Sequence, residues 1–208
     1  MFAFLAGIAA GLLHVFSGPD HLAAVAPLAS ARARGHWLTG LQWGFGHTLG
    51  VVLIAMLLLL LKERLPLDAI SRYSERVVGL SLIAIGGWGL YRAWVLRCSG
   101  AEVLGCSGAQ VQSHTHAGTS FSMGAIHGLA GSSHLFGVLP ALAFPSRASS
   151  MLYLAGFGLG AIAGMTTFSA AVGLLSSKFN RRSRSYSGFL YASSAVTLVV
   201  GGVWLVGR

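Results

Sequence analysis

The sequence predicts an all-α integral membrane protein: six transmembrane helices laid out as two inverted three-helix repeats, with helices 1 and 4 broken. Three observations lead there. The chain is 54% hydrophobic and only 9% charged, with a mean hydropathy of +0.72, whereas a soluble domain carries roughly 25% charged residues. Apolar runs long enough to span a bilayer, about 20 residues each, recur along the chain. A motif near the start also returns in the second half at a fixed interval.

The first run covers 2 to 29 and is interrupted at "SGPDH". The second, 37 to 61, ends in "LLLLL". The third, 77 to 96, carries Arg92 near its end, where a long basic side chain can snorkel to the headgroups. The fourth, fifth and sixth cover 120 to 144, 150 to 175 and 186 to 206. Between the second and third, "KERLPLDAISRYSER" reads as a short amphipathic surface stretch. Between the third and fourth lies the longest loop, "RCSGAEVLGCSGAQVQSHTHAGTS". Residues 1–96 then form a first three-helix repeat, 97–118 a Cys/His-containing loop, and 119–208 a second repeat. The start "MFAFLAGIAAGLLH" has no basic region ahead of its apolar run and is expected to be mature structure rather than a signal peptide.

The repeat shows in "HVFSGPDHL" from His14 and "HGLAGSSHL" from His127. His14 aligns with His127, Gly18 with Gly131, His21 with His134, Leu22 with Leu135 and Pro27 with Pro140, all 113 positions apart. "GFG" at 44 to 46 returns at 156 to 158. Five matches at one interval exceed what a Gly-rich chain produces by chance. Three crossings per half force the halves into opposite orientations, the inverted-repeat plan of many secondary transporters.

The formal charge is +9, from 14 Lys+Arg against 5 Asp+Glu. The basic residues cluster between apolar runs, as in "SARARGH", "LKER" and "KFNRRSRS". In a membrane protein such clusters orient loops and meet lipid headgroups. Nucleic acid is not an expected partner, since no soluble basic domain exists to bind it. Loops after helices one, three and five, with Arg92, hold eight basic residues against six on the other side. The positive-inside tendency then puts both termini outside and 97–118 in the cytoplasm, where Cys98 and Cys106 would stay reduced. The expected location is the cell (inner) membrane.

The chemistry concentrates in "LLHVFSGPDHLAAV", residues 12 to 25. In a continuous helix His14 and His21 would stand about 10.5 Å apart along the axis, too far to share one small ion. Pro19 removes a donor and disfavours helix at Gly18, which itself tolerates a sharp break. A broken helix can aim both imidazoles and the Asp20 carboxylate at one point. Irregular backbone at membrane depth survives only when it is buried in protein or lines a cavity. An ionised carboxylate there costs roughly 2.5 to 3.5 kcal/mol on insertion scales, a cost that a bound cation offsets. Imidazole with carboxylate suits nickel, cobalt, copper or zinc rather than an alkali ion.

A single membrane histidine more often bonds between helices than binds a metal. Here five sit in apolar segments: His14, His21, His47, His127 and His134. Metal ligands are expected at His14, Asp20, His21 and His47, the last among glycines that allow close helix packing. His127 and His134 are further candidates, although Ser132 and Ser133 replace Pro19 and Asp20 at the second break, and His134 is as well suited to gate or to hydrogen-bond. Cys98, Cys106, His114 and His116 could assemble a tetrahedral site, but their spacing matches no zinc-finger pattern and a plain polar loop is favoured.

At these residues the sequence resembles the nickel/cobalt transporter (NiCoT) superfamily, and within it the six-helix branch of urease-accessory UreH-like permeases. "HVFSGPDH" is similar to the family's His-x4-Asp-His signature with one residue more, and "GFGHTLGVV" to its next-helix histidine motif. "HGLAGSSH" and "GMTTF" occupy the places of motifs that usually carry an acid, which is absent here. The resemblance implies transport of Ni²⁺, with Co²⁺ as the alternative, and partners among urease or hydrogenase maturation proteins.

The expected function is therefore uptake of a divalent transition metal. No enzymatic activity and no resident cofactor are expected, and no phosphate-binding G-x-x-x-x-G-K-[ST] motif occurs. Efflux is the alternative direction. A thiol–disulfide electron carrier would need a buried cysteine in each half, whereas Cys98 and Cys106 share one loop. A metal sensor is the remaining class.

Overall fold

A computed structural model describes residues 1–32, 34–60, 67–98, 117–130, 137, 139–141, 143–180 and 183–206. Among them there is no strand. The long helices are α1 (Phe2–Ser17), α2 (Pro19–Ala31), α3 (His36–Leu60), α4 (Leu67–Cys98), α5 (Ala117–Ala130), α6 (Arg147–Ser177) and α7 (Arg184–Val206).

Local chemistry sets several of these ends. Gly18, in extended backbone, is at once the last cap of α1 and the first cap of α2, and Pro19 opens α2, the position where a missing N–H costs nothing. Gly35 turns the chain into α3 at φ 65, a dihedral only glycine adopts cheaply. Ser146 caps α6 by accepting a hydrogen bond from the amide of Ser149 at 3.2 Å.

Among the described residues, four helices are long and apolar enough to cross a membrane, over His36–Met56, Glu75–Arg97, Arg147–Ser177 and Arg184–Val206. The pair α1 and α2, bent by 73° at the break, makes a fifth candidate. Leu13, Phe16, Leu80, Leu159, Leu174 and Val203 point outward. Long apolar helices with large apolar side chains on their outer faces belong to an all-α membrane protein. The predicted fourth segment corresponds to α5, which starts earlier, at Ala117; residues 131–136 lie outside the described ones.

Two sequence readings need correction. The stretch 67 to 76, read as a separate surface segment, is continuous with the third helix, because no Gly or Pro interrupts the chain between Leu67 and Val78. Arg92 does not snorkel outward. It is 6% exposed, donates from Nη2 to the carbonyl of Ala31 at 3.1 Å and lies over the Trp88 ring.

Small residues let backbones touch, which is how membrane helices gain packing without a hydrophobic drive between them. A Cβ on Gly7 or Gly11 of α1 would meet the carbonyls of Tyr153 and Phe157 of α6 in turn, so these helices run parallel. A Cβ on Gly124 or Gly128 of α5 would meet Trp43 and His47 of α3, again in parallel. Gly40 of α3 faces Met165 of α6 while Thr48 bonds the carbonyl of Gly158, an antiparallel pair. Helix α4 runs antiparallel to α7, with Gly79 near Gly201 and Gly89 against Ser194. The largest apolar cluster joins α1, α2, α3, α4 and α6 around Val15, Val25, Leu28, Trp43, Leu82 and Met165.

Candidate metal centre

The break at Gly18 brings together what a straight helix would separate. His14 stands in the last turn of α1, and Asp20 and His21 in the first turn of α2. The rings of His14 and His21 lie edge to face, with centroids 4.8 Å apart. His47, from α3, completes the group: its ring centroid is 4.9 Å from that of His21 and 5.6 Å from that of His14. One nitrogen from each of His14, His21 and His47 falls within 4.8 Å of the others. His21 and His47 are fully buried and His14 is partly exposed.

Asp20 organises the imidazoles from behind. Its Oδ1 is 3.0 Å from Nδ1 of His21. A proton on Nδ1 of His21 satisfies that contact and would turn Nε2 toward any bound metal, the usual arrangement behind a metal-bound imidazole. Its Oδ2 lies 3.7 Å from Nε2 of His127, which α5 contributes and which is also fully buried. The positive end of the α2 dipole favours a carboxylate in the first turn. The break also needs a glycine for space: a Cβ at Gly18 would sit 2.5 Å from His21 Nδ1 and 3.0 Å from Asp20 Oδ1.

Depth can be read from helix rise. His47 is eleven residues into α3, or about 16 Å from its start, and His14 is about 18 Å from the start of α1. Both distances are close to half the thickness of a hydrocarbon core, about 30 Å. Aromatic side chains wall it: Phe157 of α6 lies 5.4 Å from the His14 ring and Trp43 of α3 lies 5.3 Å from the His127 ring.

Of the six sequence candidates, the structure therefore gathers His14, Asp20, His21 and His47 at the break, with His127 beside them: its ring centroid is 5.7 Å from that of His21 and its Nε2 faces Asp20 Oδ2. His134 falls outside the described residues, as do Cys106, His114 and His116. Sequence reasoning missed the two walls. Trp43 precedes His47 by one turn on the same face, a signal that was available. Phe157 sits in the repeated "GFG", but its counterpart Phe45 is exposed while Phe157 is buried, so the repeat alone could not single it out.

A broken apolar helix with imidazoles from α1, α2, α3 and α5 gathered near one carboxylate defines a helical membrane protein with a buried His/Asp cluster. No protein-family model matches the chain, and no solved structure matches it. It is similar to the chloroplast protein FOR GROWTH AND FERTILITY 2 of Arabidopsis thaliana, 36% identical over 200 residues that cover 94% of this chain and 54% of that protein. Chloroplast protein FOR GROWTH AND FERTILITY 1 of the same plant is 34% identical over 94% of this chain and 56% of its own length. The chain thus spans about half the length of these two relatives. Urease accessory protein UreH of Bacillus sp. (strain TB-90) is a more distant relative, 27% identical, and matches over 94% of this chain and 86% of its own length.

Proposed function

We propose that the chain is a secondary permease for a divalent transition metal, nickel first and cobalt second. The observation that carries this reading is the convergence of His14, His21 and His47, one nitrogen each within 4.8 Å, beside the buried carboxylate of Asp20. Three imidazoles and a carboxylate suit a borderline first-row ion. Intramembrane ionisable groups of this kind mark ion pathways. The distant likeness to a urease accessory protein favours nickel among the candidates.

The ion exchanges part of its water for the His14, His21 and His47 nitrogens, with Asp20 balancing its charge, and leaves on the opposite side when the helices around the break rearrange. The pairing of helices supports two inverted repeats. Exchanging helix 1 with 4, 2 with 5 and 3 with 6 turns the α1–α6 pair into the α5–α3 pair, and returns α4–α7 and α3–α6 to themselves. Both termini lie outside a cell (inner) membrane and residues 97–118 in the cytoplasm, where urease or hydrogenase maturation proteins would receive the ion.

Accumulation of radioactive nickel in a bacterial strain lacking its own nickel transporter tests the proposal. Uptake above the empty-vector control supports import; accumulation below the control reverses the direction to efflux. Unchanged nickel and cobalt content, with the protein present in the membrane, rejects the reading.

A further inference from the structure

Helix α2 carries Asp20 and His21 but is cut off from α1 by a 73° bend. Its direction is set by contacts beyond the break, and its far end carries a concentrated set of them. The last carbonyls of a helix have no partner within it, and here three consecutive ones each receive a side chain from a different helix. His36 of α3 has Nδ1 3.0 Å from the carbonyl of Ala29. Tyr186 of α7 donates its hydroxyl to the carbonyl of Ser30 at 2.9 Å. Arg92 of α4 donates to the carbonyl of Ala31 at 3.1 Å and sets a cation at the negative end of the α2 dipole. Nearer the site, Thr197 of α7 lies 2.7 Å from the carbonyl of Ala23, with the carbonyl of Ser193 as a second acceptor.

We infer that Arg92, Tyr186 and His36 are positioning residues for the proposed metal site: they fix the far end of α2 and so hold Asp20 and His21 where an ion can use them. The lever is long. Ala31 stands about 16 Å along the axis from Asp20, so a tilt of about 1° about the anchored end moves Asp20 by about 0.3 Å. Metal–ligand distances tolerate only about 0.2 Å. A loose anchor would leave the ligands present and misplaced, the usual failure of a site with an unsupported shell.

This inference rests on the permease reading, so its test uses two measurements on the full chain with Cys98 and Cys106 replaced by Ser. One is titration of the purified protein with Co²⁺, followed by its ligand-field absorption. The other is the distance distribution between spin labels at Leu13 and Arg34, which reports the set of α2 without any metal. The variant is Tyr186→Phe combined with His36→Phe, which removes two of the three anchoring contacts and keeps a ring at each position. Co²⁺ affinity is expected to fall about tenfold, the low end of the loss seen when an outer support of a ligand is removed, with a broadened label distance. Arg92→Lys, which keeps the cation, should retain more affinity than Arg92→Met. Unchanged affinity, spectrum and label distance in the double variant overturn the inference, even if its melting temperature drops. Failure of the unsubstituted chain to bind Co²⁺ overturns the permease reading instead, and the label distances then decide the anchor alone.

Discussion

Asp20 and His127 meet across the protein: Oδ2 of the one lies 3.7 Å from Nε2 of the other, although they come from α2 and α5. With Oδ1 of the same carboxylate on His21, one acid links an imidazole of the cluster to an imidazole of the second half of the chain.

Asp20→Asn separates the charge of this acid from its shape. An amide oxygen can still accept from Nδ1 of His21, so the ring keeps its orientation, while the negative charge is lost. Metal accumulation should fall at least about tenfold. Protein abundance should hold or rise, because a buried carboxylate opposes insertion when no metal is bound. Uptake and membrane immunoblotting on the same cells measure both. Full transport by Asp20→Asn would remove the acid from the mechanism, and a parallel loss of protein would make its role structural.

The two outer histidines should rank differently. His47 presents a nitrogen to the group formed with His14 and His21, whereas His127 approaches the carboxylate. His47→Ala is expected to abolish Co²⁺ binding by the purified protein. His127→Ala should weaken it by about tenfold, the low end of the loss typical of an outer-shell partner. Equal loss in both variants would place His127 among the direct ligands.

Gly18→Ala tests the break itself. The dihedrals there, φ −88 and ψ 99, suit alanine, so backbone strain is not the issue. The added methyl would press on His21 Nδ1 and Asp20 Oδ1, and metal binding should drop sharply with a melting temperature within a few degrees of the original. Gly87→Ala serves as the control: a Cβ there meets nothing within 4 Å. It should leave binding intact and stabilise α4 by up to about 1 kcal/mol. Normal Co²⁺ binding by Gly18→Ala would show that the Asp20–His21 contact can relax at no cost.

Gly11→Val should do the opposite. A Cβ at Gly11 would collide with the backbone of Phe157 and Ala161, which cannot yield as a side chain can. Separation of α1 from α6 should cost about 1 to 3 kcal/mol or more, seen as a lowered unfolding midpoint in detergent. Gly124→Val, against the carbonyl of Trp43, should behave alike. An unchanged midpoint in both would mean that these helices do not depend on close contact.

Much of this was legible from residues alone because its causes are local. Gly18 and Pro19 end one helix and begin another through dihedral and donor chemistry within two residues, and the apolar runs follow from hydropathy. The same is true of His14, Asp20 and His21, which the break itself brings together. Other features were hidden because they depend on how helices rotate and cross. Phe45 and Phe157 sit in identical tripeptides, yet one faces outward and the other covers His14. Arg92 reads as a headgroup residue and instead closes the end of α2. Which imidazoles share a point, and which carbonyl a buried cation serves, is decided by contacts between helices far apart in the chain. A rotation of one residue position, about 100° in an α-helix, is enough to change the answer.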